Sequence, residues 1–77
     1  MGHLRFDLKE AIQDYEARTG IRLTYEALGI RTGIATDTLK SMASREDYNA
    51  TLRAIGSLAD ALKCDPIRHM KWTPGRE

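Results

Sequence analysis

The stretch Tyr25–Ser44, YEALGIRTGIATDTLKSMAS, decides how this chain folds. Its apolar positions are Leu28, Ile34, Leu39 and Met42, Gly29 is tiny, and Gly33 falls between the two halves. The spacing predicts two short helices, about Tyr25–Thr32 and Thr36–Ser44, joined by a tight glycine turn. Thr24 is a good N-cap, because its side-chain oxygen can accept from an amide of the first turn. Gly33 supplies the backbone freedom of the bend. Gly29 keeps the first helix thin where the second crosses it. Ile34 and Leu39 are expected to bury the inside of the corner against Leu28 and Met42.

Working outward, Asp7-Leu8-Lys9-Glu10 reads as a capping box. Asp7 accepts from the amide near Glu10, and Glu10 reaches back. Leu8, Ala11, Ile12 and Tyr15 recur at helical spacing, and Thr19-Gly20 ends that first helix. Beyond the corner, residues 45–49 form a polar loop, and Asn49 or Thr51 is available as the next N-cap. Leu52, Ile55, Leu58, Ala59 and Leu62 form the apolar stripe of a fourth helix. Asp65-Pro66 signals a short fifth helix, with aspartate as cap and proline in the first turn. Ile67, Met70 and Trp72 would be its apolar residues. Sustained period-two alternation is missing, so strands are not expected. The expected fold is all-α: five short helices with a helix-turn-helix at the second and third. A single domain spans residues 1–77, with a compact core over about 7–72 and frayed residues 73–77.

Composition narrows the class. The chain has 77 residues, 42% hydrophobic and 30% charged, as in ordinary globular domains rather than disordered ones. A core this small is marginal, so a partner chain would help it. The one cysteine, Cys64, cannot form an intrachain disulfide and leaves too few members for a Cys/His metal cluster. This points to a reducing cytoplasm. Residues 1–10 carry no signal-peptide apolar run, and no segment approaches the length of a membrane span, so no membrane partner is expected. Net charge is only +1, weak for a nucleic-acid binder, so its distribution matters. Arg31, Lys40 and Arg45 face only Asp37 within residues 31–45, and Glu46-Asp47 then oppose them. His3 and His69 read as surface residues, Cys64 as a small buried or half-buried hydrophobe, and Tyr15 as core. No paired catalytic groups suggest an enzyme.

Two correctly spaced segments resemble the phage-repressor and Cro (XRE) family of helix-turn-helix proteins, whose members have a lambda-repressor-like fold. The first runs from Leu23 to Met42, LTYEALGIRTGIATDTLKSM, and is similar to a family pattern LTxEELAxxTGISxSTLSRIE. The second, Thr51-Leu52 through Ala59-Asp60-Ala61-Leu62, is similar to the family's SLETLLKIAKAL helix. The likeness covers about Leu8 to Met70. It implies a sequence-specific transcriptional regulator of bacterial or phage type, working without cofactor, with double-stranded DNA as its partner.

The second helix of such a motif enters the major groove, and residues at its start read base edges. By position, Thr36, Asp37 and Ser41 would take that role, with Thr38 and Lys40 assisting. Thr24, Tyr25, Ser44, Arg45 and Asn49 would hold the DNA backbone. Relatives often dimerise through the last helix. Ile67, Met70 and Trp72 would then form a two-fold patch in a homodimer, or else close the core over the first helix. The chain departs from the pattern at several places. Tyr25 stands for glutamine and Ala35 for serine, so Thr36 is expected to take over the cap. Lys63 stands for glycine, and Glu46-Asp47 face the expected phosphates. Ile30 occupies a normally exposed position, either covering the first helix or touching another chain. The alternative is a protein-interaction or antitoxin-like module on a degenerate helix-turn-helix scaffold, gripping a protein partner through Ile30 and the C-terminal residues.

Overall fold

A computed structural model describes residues 2–45 and 48–75. The fold is mostly α. A short strand β1 (His3–Phe6) leads into helices α1 (Leu8–Thr19), α2 (Tyr25–Thr32), α3 (Thr36–Ser44) and α4 (Leu52–Leu62). A 3-10 turn over Pro66–His69 then delivers strand β2 (Met70–Thr73). The strands pair antiparallel, with Leu4 opposite Trp72 and Phe6 opposite Met70.

The helix boundaries follow local chemistry. Asp7 Oδ1 accepts from the Glu10 amide at 3.1 Å, Thr24 Oγ1 from Ala27 at 3.1 Å, and Thr51 Oγ1 from Ala54 at 3.0 Å. Thr51, not Asn49, is therefore the cap of α4. Gly20 and Gly33 end α1 and α2 at φ 71° and 75°, the left-handed region that glycine enters without strain. Lys63 ends α4 in the same region at φ 51°, where a side chain is disfavoured. Arg18 of α1 supports that end, donating to the carbonyls of Leu62 at 3.0 Å and Lys63 at 3.4 Å while pairing with Asp14 at 2.8 Å.

One contiguous core joins all the elements. Leu8, Leu28, Leu39, Leu58 and Leu62 are fully enclosed, and Phe6, Ala11, Ile12, Tyr15, Leu23, Met42 and Ile55 complete it. Leu52 is the exception on the α4 stripe, 86% exposed in the first turn of its helix.

The chain's two ends differ from expectation. Strands were not expected, yet both ends are strands. The fifth helix is absent. Asp65 does cap, accepting from Ile67 at 3.0 Å, but only the 3-10 turn follows. The His69 carbonyl accepts from the Asp7 amide at 2.8 Å, and the chain then extends beside β1. Pairing across the whole length of the sequence overrides a weak local helical signal. Trp72 accordingly sits in a strand, and regular structure includes His3–Phe6 and Thr73 as well as the helices.

The capping box is half made for the same reason. The Asp7 amide is taken by His69, and the Glu10 carboxylate instead meets Lys71 Nζ at 2.9 Å. His69 is not a surface residue. It is 6% exposed, its ring edge-on to Phe6 at 6.2 Å between centroids. Glu10 lies 3.9 Å from its Nδ1 and Asp14 lies 4.0 Å from its Nε2. His3 is half-buried.

Candidate nucleic-acid interface

The corner between α2 and α3 is built by a close approach. A Cβ placed on Gly29 would stand 2.8 Å from the Ile34 carbonyl oxygen and 3.7 Å from Leu39 Cδ1. Nothing larger than glycine fits without moving backbone. The turn is fixed from within: Thr32 Oγ1 donates to the Leu28 carbonyl at 2.8 Å and accepts from the Ile34 amide at 3.2 Å. Leu39 and Met42 sink the inner face of α3 into the core. Its outer face stays polar.

On that face Asp37, Lys40 and Ser44 are exposed, while Thr36, Thr38 and Ser41 are half-buried. Thr36 does not act as a shifted cap. The helix begins at Thr36 with Ala35 in the cap position and no side-chain cap bond. Thr36 Oγ1 instead lies over Gly29, 3.5 Å from where a Cβ would stand. Asp37 sits in the first turn, where a carboxylate interacts favourably with the helix dipole. The Ser44 hydroxyl donates back to the Lys40 carbonyl at 2.9 Å, which leaves its oxygen as an acceptor.

Of the residues expected along a DNA backbone, Thr24, Ser44, Arg45 and Asn49 are exposed, and Tyr25 is half-buried against the core. Thr24 is committed to capping α2. Glu46 and Asp47 lie outside the described residues. The proposed dimer residues divide: Ile67 and Trp72 are 77% and 64% exposed, whereas Met70 packs on the core. Ile30 is 86% exposed and so does not cover α1.

A groove of about 680 Å³ runs beside this face, between α1, the α1–α2 link, the start of α2 and α3. Lys9, Arg22 and Lys40 come to it from three different elements, around Ile21 and Tyr25. No periodic cue announces that gathering, because Arg22 lies in a non-helical link. The link is held from below: the Leu23 amide donates to Glu16 Oε2 at 2.8 Å, and the Ile21 amide to Thr19 Oγ1 at 3.2 Å.

Among the described residues, two titratable groups are shifted, both away from the α3 face. The Arg31 guanidinium donates to the Tyr15 hydroxyl at 3.2 Å and holds the phenol below its ordinary value. Burial raises the Cys64 thiol, which leaves it a poor nucleophile. Among the described residues, no three His, Cys, Asp or Glu side chains gather closely enough to hold a metal ion. No helix there is long and apolar enough to cross a membrane.

Fold and site together define a small, mostly α domain that presents one rigid helix on a glycine-built corner. Set against protein-family models, curated proteins and solved structures, the chain matches none.

Proposed function

We propose that the protein binds double-stranded DNA sequence-specifically, as a transcriptional regulator of bacterial or phage type on a lambda-repressor-like helix-turn-helix. The observation that carries this reading is the Gly29–Ile34 approach. It fixes α3 against α2 and frees a polar helix face from packing duty. A helix so held enters a major groove as a rigid body. Thr36, Asp37, Thr38, Lys40 and Ser41 then meet base edges. Hydroxyls serve either partner, Asp37 accepts from cytosine, and Lys40 donates to guanine or phosphate. Thr24, Tyr25, Ser44, Arg45 and Asn49 hold the backbone and set the register. The exposed Ile67 and Trp72 suit a homodimer, whose two α3 helices would reach half-sites about 34 Å apart.

The test is selection of fragments from a random duplex pool, followed by binding measured across a salt series. Phosphate-driven binding weakens steeply as salt rises. A selected half-site whose preference relaxes in Thr36→Ala or Ser41→Ala, with non-specific binding kept, supports the reading. Failure to bind any fragment at low salt would end it.

A second reading is a protein-interaction module on the same scaffold. Ile30 favours it, since an isoleucine 86% exposed on α2 has no packing role within the described chain.

A further inference from the structure

We propose that the groove between α1, the α1–α2 link and α3 docks an acidic protein segment carrying an apolar anchor. The groove is preformed, because Glu16 and Thr19 tie down the backbone of the link that makes one wall. Its exposed cations are Lys9 from the first turn of α1, Arg22 from the link and Lys40 from α3. Between them lie Ile21, 54% exposed, and the half-buried Tyr25. Two acids also line it, Glu16, which accepts from the Leu23 amide, and Glu26, so the cations outnumber the carboxylates three to two.

Cations around an apolar centre complement carboxylates that flank an apolar side chain. A volume of about 680 Å³ lies within the range of ligand-sized sites, and the groove is open to solvent, which lets a segment of another protein lie in it. A nucleic-acid strand would satisfy the cations and leave Ile21 without an apolar partner. Docking stands apart from the DNA reading. Its consequence rests on that reading: Lys40 lines the groove and belongs to the α3 face, so an acidic segment and DNA exclude one another.

The experiment follows backbone amide shifts of the full chain during titration with three synthetic peptides and one DNA duplex. One peptide alternates glutamate with leucine, the second alternates glutamate with serine, and the third alternates lysine with leucine. The glutamate–leucine peptide is expected to move Lys9, Ile21, Arg22, Tyr25 and Lys40, and to bind more tightly than both others. Arg22→Gln and Lys9→Gln should each weaken it roughly threefold to fivefold, the scale of an exposed ion pair. Ile21→Ser should weaken it about tenfold through the lost apolar contact. Unchanged melting of these surface variants would separate docking from folding.

Equal binding of the serine peptide would overturn the apolar anchor. Shifts that map elsewhere, or shifts at the groove from the duplex and none from any peptide, would overturn the proposal and make the groove a phosphate seat. A chain that ignores the duplex yet binds the glutamate–leucine peptide at the groove would keep the docking and end the DNA reading.

Discussion

The α2–α3 corner and the joined chain ends are stabilised in opposite ways. In the corner every decisive contact is local. Thr24 caps, Gly29 admits the Ile34 carbonyl, Thr32 ties the turn, and Gly33 takes the left-handed conformation. At the ends every decisive contact is long-range. Phe6 pairs with Met70, the Asp7 amide seeks the His69 carbonyl, and Glu10 reaches Lys71. A local device leaves its signature in consecutive residues, whereas a long-range one is distributed over two distant segments that look unremarkable alone.

The largest effect should come from the ends. Phe6 is 2% exposed and joins the sheet to the core beside His69. Phe6→Ala should cost about 3–5 kcal/mol. That is a large share of the stability of a domain this size, on the order of 5–10 kcal/mol. Thermal denaturation followed by circular dichroism should show the whole domain losing stability. If hydrogen exchange instead showed α1–α4 fully protected while only the sheet opened, the ends would be an appendage and not part of one core.

The next effect belongs to the corner. Gly29→Ala puts a methyl group 2.8 Å from a backbone oxygen, and backbone cannot rotate away as a side chain can. Overpacking of this kind costs about 1–3 kcal/mol, despite the helix propensity gained from alanine. A variant at least as stable as wild type would show that α2 and α3 can separate freely at the crossing.

These differences explain what was legible beforehand. The bounds of α2 and α3 were readable because the Thr24 cap, the glycines and the apolar spacing agreed over a short stretch, even though α3 itself starts without a side-chain cap. The strands were not, since His3–Phe6 and Met70–Thr73 are each too short to display a period. Asp65-Pro66 signals a fifth helix, and although Asp65 does cap, only a 3-10 turn forms and no local cue says that it stops at His69. His69 itself looked like an isolated histidine, and its burial depends on Phe6 lying beside it. The candidate interface was half legible: the outer face of α3 follows from its spacing, whereas the groove exists only because α1 and the link are folded against α3.

A smaller effect of opposite sign is expected where α4 meets α1. Lys63 holds a left-handed φ of 51° that glycine would occupy freely. Lys63→Gly should stabilise the domain by roughly 0.5–1 kcal/mol, the relief of strain less the extra entropy of an unfolded glycine. Arg18 would keep its bonds, because it meets carbonyls and not the lysine side chain. Lower stability in this variant would mean that the lysine side chain contributes more than its backbone strain costs.

The smallest effect lies at the joint between α1 and the corner, where Arg31 donates to Tyr15 and stands 6.0 Å over its ring. The hydrogen bond from the guanidinium is the main reason the phenol titrates below 10.0, followed in the lowering direction by the charge of Arg31 itself. A phenol lowered by folding adds stability above its unfolded value, near 10, where it is ionised in both states. That gain disappears as pH falls through the folded value. Arg31→Gln should therefore raise the Tyr15 titration, followed by NMR of labelled tyrosine, and remove extra stability only at strongly alkaline pH. A Tyr15 titration that does not move in Arg31→Gln would mean that the guanidinium does not hold α1 to the corner in solution, and that the joint rests on apolar packing alone.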